Sequence, residues 1–64
     1  MGVQAMRRRE LEHRLRERGW VLVRHGRKHD VWSDGESFEA VPRHAEINER
    51  LARAILVRVR RTGR

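Results

Sequence analysis

His29 is the residue whose type and setting first suggest chemistry. It lies in the stretch GRKHDVW, directly after Lys28, and the chain's other fifteen basic residues are all arginine. An imidazole with an ordinary pKa of about 6.5 takes or gives a proton at neutral pH. A compact ammonium beside it can hold a phosphate or offset negative charge developing on one. The pair fits acid–base work on a phosphoryl group. The plainer reading is a basic hairpin that happens to carry an imidazole, and one histidine alone does not choose between them.

Of the three other histidines, two compete for a supporting part. The Asp34-Gly35 dipeptide tolerates positive φ and marks a turn. If it centres a hairpin, position i pairs with about 70 − i, which sets His29 opposite Val41. Pro42, Arg43 and His44 then emerge at the same end of the sheet, where His44 is a candidate second acid. Otherwise it is only part of the lead-in to the last helix. His25, in the same turn as His29, competes with His44 for that second-acid role. His13 falls among polar neighbours on the first helix and reads as surface. Alternation leaves the face of His29 open, because His29/Val31 and Asp30/Trp32 each join one polar and one apolar residue.

The elements that must position these residues follow from pattern. Residues 6–18 are helical, with Met6, Leu11 and Leu15 along one stripe and the pairs Glu10–Arg14 and Glu12–Arg16 in the favourable acid-first order. Gly19 ends that helix in a left-handed cap. Residues 20–24 and 29–32 read as strands, rich in β-branched and aromatic side chains. Residues 38–41 form a third, stopped by Pro42, which has no N–H for a ladder. Asn48 is the expected N-cap of a second helix reaching about residue 60, with Leu51, Ile55 and Val59 repeating at four and Ala52 and Leu56 beside them. The expected fold is α+β with order α-β-β-β-α, a three-stranded antiparallel sheet carrying two helices on one face. Residues 1–5 read as a tail, 6–60 as the domain and 61–64 as a basic tail.

Composition narrows the function. A chain of 64 residues buries only about 60% of its unfolded surface, so one modest core is the limit. Without cysteine, disulfides and thiolate–metal sites are excluded, and the acidic residues show no ligand spacing. Neither metal nor cofactor is expected. No apolar run reaches the length of a membrane span, which makes a cytoplasmic protein the expectation. Gly2 is not read as a myristoylation site, since position 6 is Met6 rather than Ser or Thr. A formal charge of +7 and a sequence pI near 11.7 favour a polyanionic partner or an acidic protein.

The run RRELEHRLRERGWVLVRHGRKHDVW, followed by VPRHAEINERLARAIL, resembles the HicA toxins of bacterial toxin–antitoxin systems. The likeness covers residues 6–57 and rests on the Gly-Trp junction after the first helix, the Gly-x-x-His before a short strand, the Val-Pro-x-His segment and the final helix. It implies a double-stranded-RNA-binding-domain-like fold and a ribosome-independent endoribonuclease that cuts mRNA. A cognate HicB-like antitoxin would neutralise it by covering the active histidine. By this resemblance His29 is that histidine and Met6 is the family-like start. The family commonly has a small residue, often serine, where this chain has Lys28.

RNA cleaves when its 2′-hydroxyl attacks the adjacent phosphate, which requires a proton removed there, a proton given to the departing 5′-oxygen, and stabilised phosphoryl charge. His29 is the candidate general acid/base, Lys28 the supporting cation and His44 the complementary acid. Arg7, Arg8, Arg24, Arg27 and Arg43 are the expected phosphate contacts, though each alone reads equally as a solvated arginine. Trp32 could stack on an unpaired base, but core packing is the plainer reading for both Trp20 and Trp32. Two other functions stay open: a non-catalytic RNA-binding module, which would leave RNA intact, and a basic protein-interaction domain with negligible RNA affinity.

Overall fold

Backbone hydrogen bonds at the end of the first helix show why the chain turns there. Gly19 takes φ +85°, its N–H donates to the Arg16 carbonyl, and the Trp20 N–H reaches back to that of Leu15. These are the two bonds of a Schellman cap, and Leu15 and Trp20 pack in the core beside it. A computed structural model describes residues 4–62, with the side chain of Thr62 outside the description. In chain order the elements are β1 (Ala5–Arg7), α1 (Arg8–Glu17), β2 (Val21–His25), β3 (His29–Ser33), β4 (Phe38–Pro42), β5 (Glu46–Asn48) and α2 (Glu49–Thr62).

The expected antiparallel sheet is present in the order β2-β3-β4, with both helices on one face. Leu11 and Leu15 of α1, Ala52, Ile55 and Val59 of α2, and Trp20, Trp32, Val41 and Ile47 make one buried cluster. Truncating a leucine in such a core costs about 2–5 kcal/mol. The α2 stripe is rotated from the expected one: Ala52 is fully buried, whereas Leu51 is 41% exposed. Asn48 caps this helix as expected, its Oδ1 accepting from the Arg50 N–H at 2.8 Å.

A second, two-stranded sheet was not legible in the pattern. β1 pairs antiparallel with β5, setting Met6 against Ile47, and the Gln4 carbonyl accepts from the Glu49 N–H at the start of α2. Gln4 and Ala5 are therefore built into the fold rather than forming a tail, and Met6 belongs to a strand. Residues 1–3 lie outside the described residues. At the other end α2 continues through Arg61 to Thr62. The first N–H of α1 has no side-chain cap; Arg8 donates it to the Ala45 carbonyl at 2.9 Å, which binds the helix start to the segment after β4.

The hairpin register differs from expectation by one residue. His29 pairs with Pro42, and Asp30 with Val41. The connection between β3 and β4 spans residues 34–37, with the Asp34 carboxylate accepting from both the Glu36 and Ser37 N–H groups. That Asx-type arrangement widens the loop beyond two residues.

Candidate active site

The β2–β3 hairpin tip, residues 25–30, carries the candidate chemistry. Gly26 makes this turn possible. A Cβ there would lie 2.2 Å from the His29 carbonyl oxygen, so any side chain would force the turn apart. Asp30 and Trp32 are buried on the face beneath the helices, and His29 is exposed. The ambiguous alternation is thus decided: His29/Val31 form the outward set. Among the described residues, the His29 and Lys28 side chains have no hydrogen-bond or ion-pair partner, and neither do those of Arg24 and Arg27. An unpaired imidazole and three unpaired cations gather on one hairpin.

Arg43 ties that hairpin to the end of β4. Its backbone N–H donates to the Lys28 carbonyl at 3.0 Å, and Nη1 donates to the Gly26 carbonyl at 3.0 Å. Nε lies 3.4 Å from Asp30 Oδ1. Arg43 is thus a clamp on the tip more than a spare phosphate contact. Arg8 extends the chain of ties, with Nη1 donating to the Arg43 carbonyl at 2.7 Å, while its Nε sits 3.6 Å from Glu12. The N-terminus of α1, with exposed Arg7 next to it, is drawn to the same end of the molecule. His44 follows Arg43 in the 43–45 loop and is exposed there, at the end of the sheet anticipated for it.

Trp32 does not belong to a binding surface. It is fully buried, and the Arg16 guanidinium lies over its ring at 5.1 Å from the centroid, a cation–π contact. No base can stack on it. Burying so large an indole in a core this small outweighs presenting it to solvent.

Pattern reading also missed Asp30. It is 3% exposed, and its Oδ1 lies 3.1 Å from His25 Nδ1. A polar residue in a short strand reads as solvent-facing, and the one available signal was its i, i+2 relation to Trp32. Beyond the tip, Arg8, Arg14, Arg53 and Arg58 are ion-paired with carboxylates. Arg58 makes a two-bond contact with Glu39, which raises its guanidinium further above its ordinary value. A groove of about 390 Å³ between the helices is lined by Arg14, Arg18, Arg53, Arg60, Leu56 and Val57. It lies toward the C-terminal end of α1, away from the hairpin tip.

Comparison with protein-family models, with curated proteins and with solved structures finds no match. What the site can do therefore follows from its own geometry. Among the described residues, no three His, Asp or Glu side chains converge as metal ligands, and no helix is long and apolar enough to cross a membrane. The tip offers proton transfer and cationic charge at one exposed place.

Proposed function

We propose that this chain is a HicA-type toxin, an endoribonuclease that cuts mRNA with His29 as a general acid/base and is held inactive by a HicB-like antitoxin in the cytoplasm. One observation carries the reading: the exposed, unpartnered His29 imidazole stands on a pinned hairpin beside the unpaired Arg27 and Lys28. Proton transfer needs a solvent-accessible ring, and docking a phosphodiester needs uncommitted cations. The resemblance in the Gly-x-x-His and Val-Pro-x-His segments supports the same assignment. The order of the main sheet and helices agrees with the double-stranded-RNA-binding-domain-like fold that it implies.

Cleavage would proceed by attack of the ribose 2′-oxygen on the neighbouring phosphorus and departure of the 5′-oxygen. This leaves a 2′,3′-cyclic phosphate and a 5′-hydroxyl. Lys28 and Arg27 would offset the charge gathered on the phosphoryl oxygens.

The test is induced expression of the wild type and His29→Ala with transcript integrity followed, alongside cleavage of a purified RNA. Wild type should arrest growth and fragment RNA. His29→Ala should fold normally and lose about 100-fold or more in cleavage rate. Undiminished cutting by that variant would remove His29 from the mechanism. RNA bound but left intact by the wild type would leave a binding module in its place.

A further inference from the structure

Among the described residues, Asp30 is the only buried acidic side chain. A buried carboxylate is costly unless charge and hydrogen bonds compensate it. Here the compensation comes from Arg43 Nε at 3.4 Å and His25 Nδ1 at 3.1 Å. The carboxylate only accepts, so Nδ1 of His25 must be the protonated nitrogen. In the neutral ring Nε2 then carries the lone pair. The side chain is nevertheless 65% exposed, so a ring fixed at one nitrogen is otherwise open to solvent. Buried carboxylate, Nδ1–H, open Nε2: this arrangement sets an imidazole up as a base and stabilises the imidazolium it becomes.

Resting on the nuclease reading above, we propose that His25 is the second catalytic residue, the base that takes the 2′-hydroxyl proton, with Asp30 as its positioning residue. His25 pairs with Asp30 across the hairpin, so His29 stands one position before that partner, on the opposite face of the strand. His29 belongs to the outward set, whereas Asp30 and the imidazole it holds belong to the helix-facing side. A phosphodiester laid across the tip meets one imidazole on each side, and in-line displacement places the entering and leaving oxygens on opposite sides of phosphorus. His25 Nε2 accepts the 2′-hydroxyl proton as the 2′-oxygen bonds to phosphorus. The bond from phosphorus to the 5′-oxygen breaks, and His29, entering protonated, gives that oxygen its proton. Solvent then resets both rings. His44 has no such carboxylate among its described contacts and is displaced from the part the sequence offered it.

The test uses the full chain and two RNA oligonucleotides with one cleavable linkage, one ordinary and one with sulfur replacing the bridging 5′-oxygen. Sulfur leaves without a proton, so it rescues loss of the acid but not of the base. His25→Gln should lose about 100-fold on both substrates, and His29→Gln only on the ordinary one. Asp30→Asn should lower kcat by about tenfold or more with little change in KM. Nitrogen-15 NMR should show His25 as the Nδ1–H tautomer in the wild type and shifted toward Nε2–H in Asp30→Asn. A purely structural Asp30 would move stability without that kinetic and spectroscopic pattern. Wild type inert on both RNAs removes the nuclease reading itself. Active wild type with an active His25→Gln, with rescue of His25→Gln by sulfur, or with an Nε2–H tautomer, overturns this proposal alone.

Discussion

Lys28 separates two kinds of cationic help. Its backbone is pinned, since its carbonyl accepts from the Arg43 N–H, while its ammonium is uncommitted among the described residues. A cation that contacts only the ground-state phosphate strengthens binding, and one that meets charge arising during attack raises turnover. Lys28→Ala is expected to lower kcat about tenfold and leave KM within about twofold. Single-turnover and steady-state assays on the same RNA would resolve this. Equal losses in affinity and rate would make Lys28 a docking residue.

The hairpin and the α1 cap use glycine for different reasons, and alanine should tell them apart. Gly26 is a question of space, because a Cβ would meet the His29 carbonyl oxygen at 2.2 Å. Gly26→Ala is expected to cost about 1–3 kcal/mol and to reduce cleavage as well, because the displaced carbonyl belongs to the residue carrying the reactive ring. Gly19 is a question of dihedral angle: φ is +85° and nothing lies within 4 Å of an added Cβ. Gly19→Ala should cost about 1 kcal/mol with cleavage unchanged, since the cap lies at the far end of α1 from the tip. Urea denaturation and RNA cleavage measured on both variants check the contrast. Equal activity losses would show that the tip has no special tie to Gly26.

Over the whole molecule some cations are held by carboxylates and others are not. Arg14, Arg53 and Arg58 are held by Glu10, Glu49 and Glu39, whereas Arg24, Arg27 and Lys28 on the hairpin are uncommitted. A cation already paired with a carboxylate releases less counterion when RNA binds. Replacing Arg24, Arg27 and Lys28 together by Gln should flatten the slope of log affinity against log salt by about two, the value for three contacts to a single strand. The same change at Arg14, Arg53 and Arg58 should alter it far less. Binding of a short single-stranded RNA across a salt series gives both slopes, and equal flattening would place the RNA elsewhere.

The sequence by itself determined the features that depend on neighbours a few residues apart. These are the Gly19 cap, the Asp34-Gly35 turn, the Asn48 N-cap, the apolar helix faces and the order of the main elements. It also made Lys28 stand out as the single lysine, with His29 directly after it. Tertiary structure decided what depends on partners distant along the chain: the pairing of β1 with β5, the one-residue register of β3 on β4, and the face on which His29 lies. Asp30/Trp32 and His29/Val31 were equivalent as patterns. Burying the Trp32 indole turned Asp30 inward, and there it is compensated only because His25 and Arg43 come from two other segments. Periodicity records whether one side chain prefers water, whereas a buried carboxylate depends on which other chains of atoms reach it.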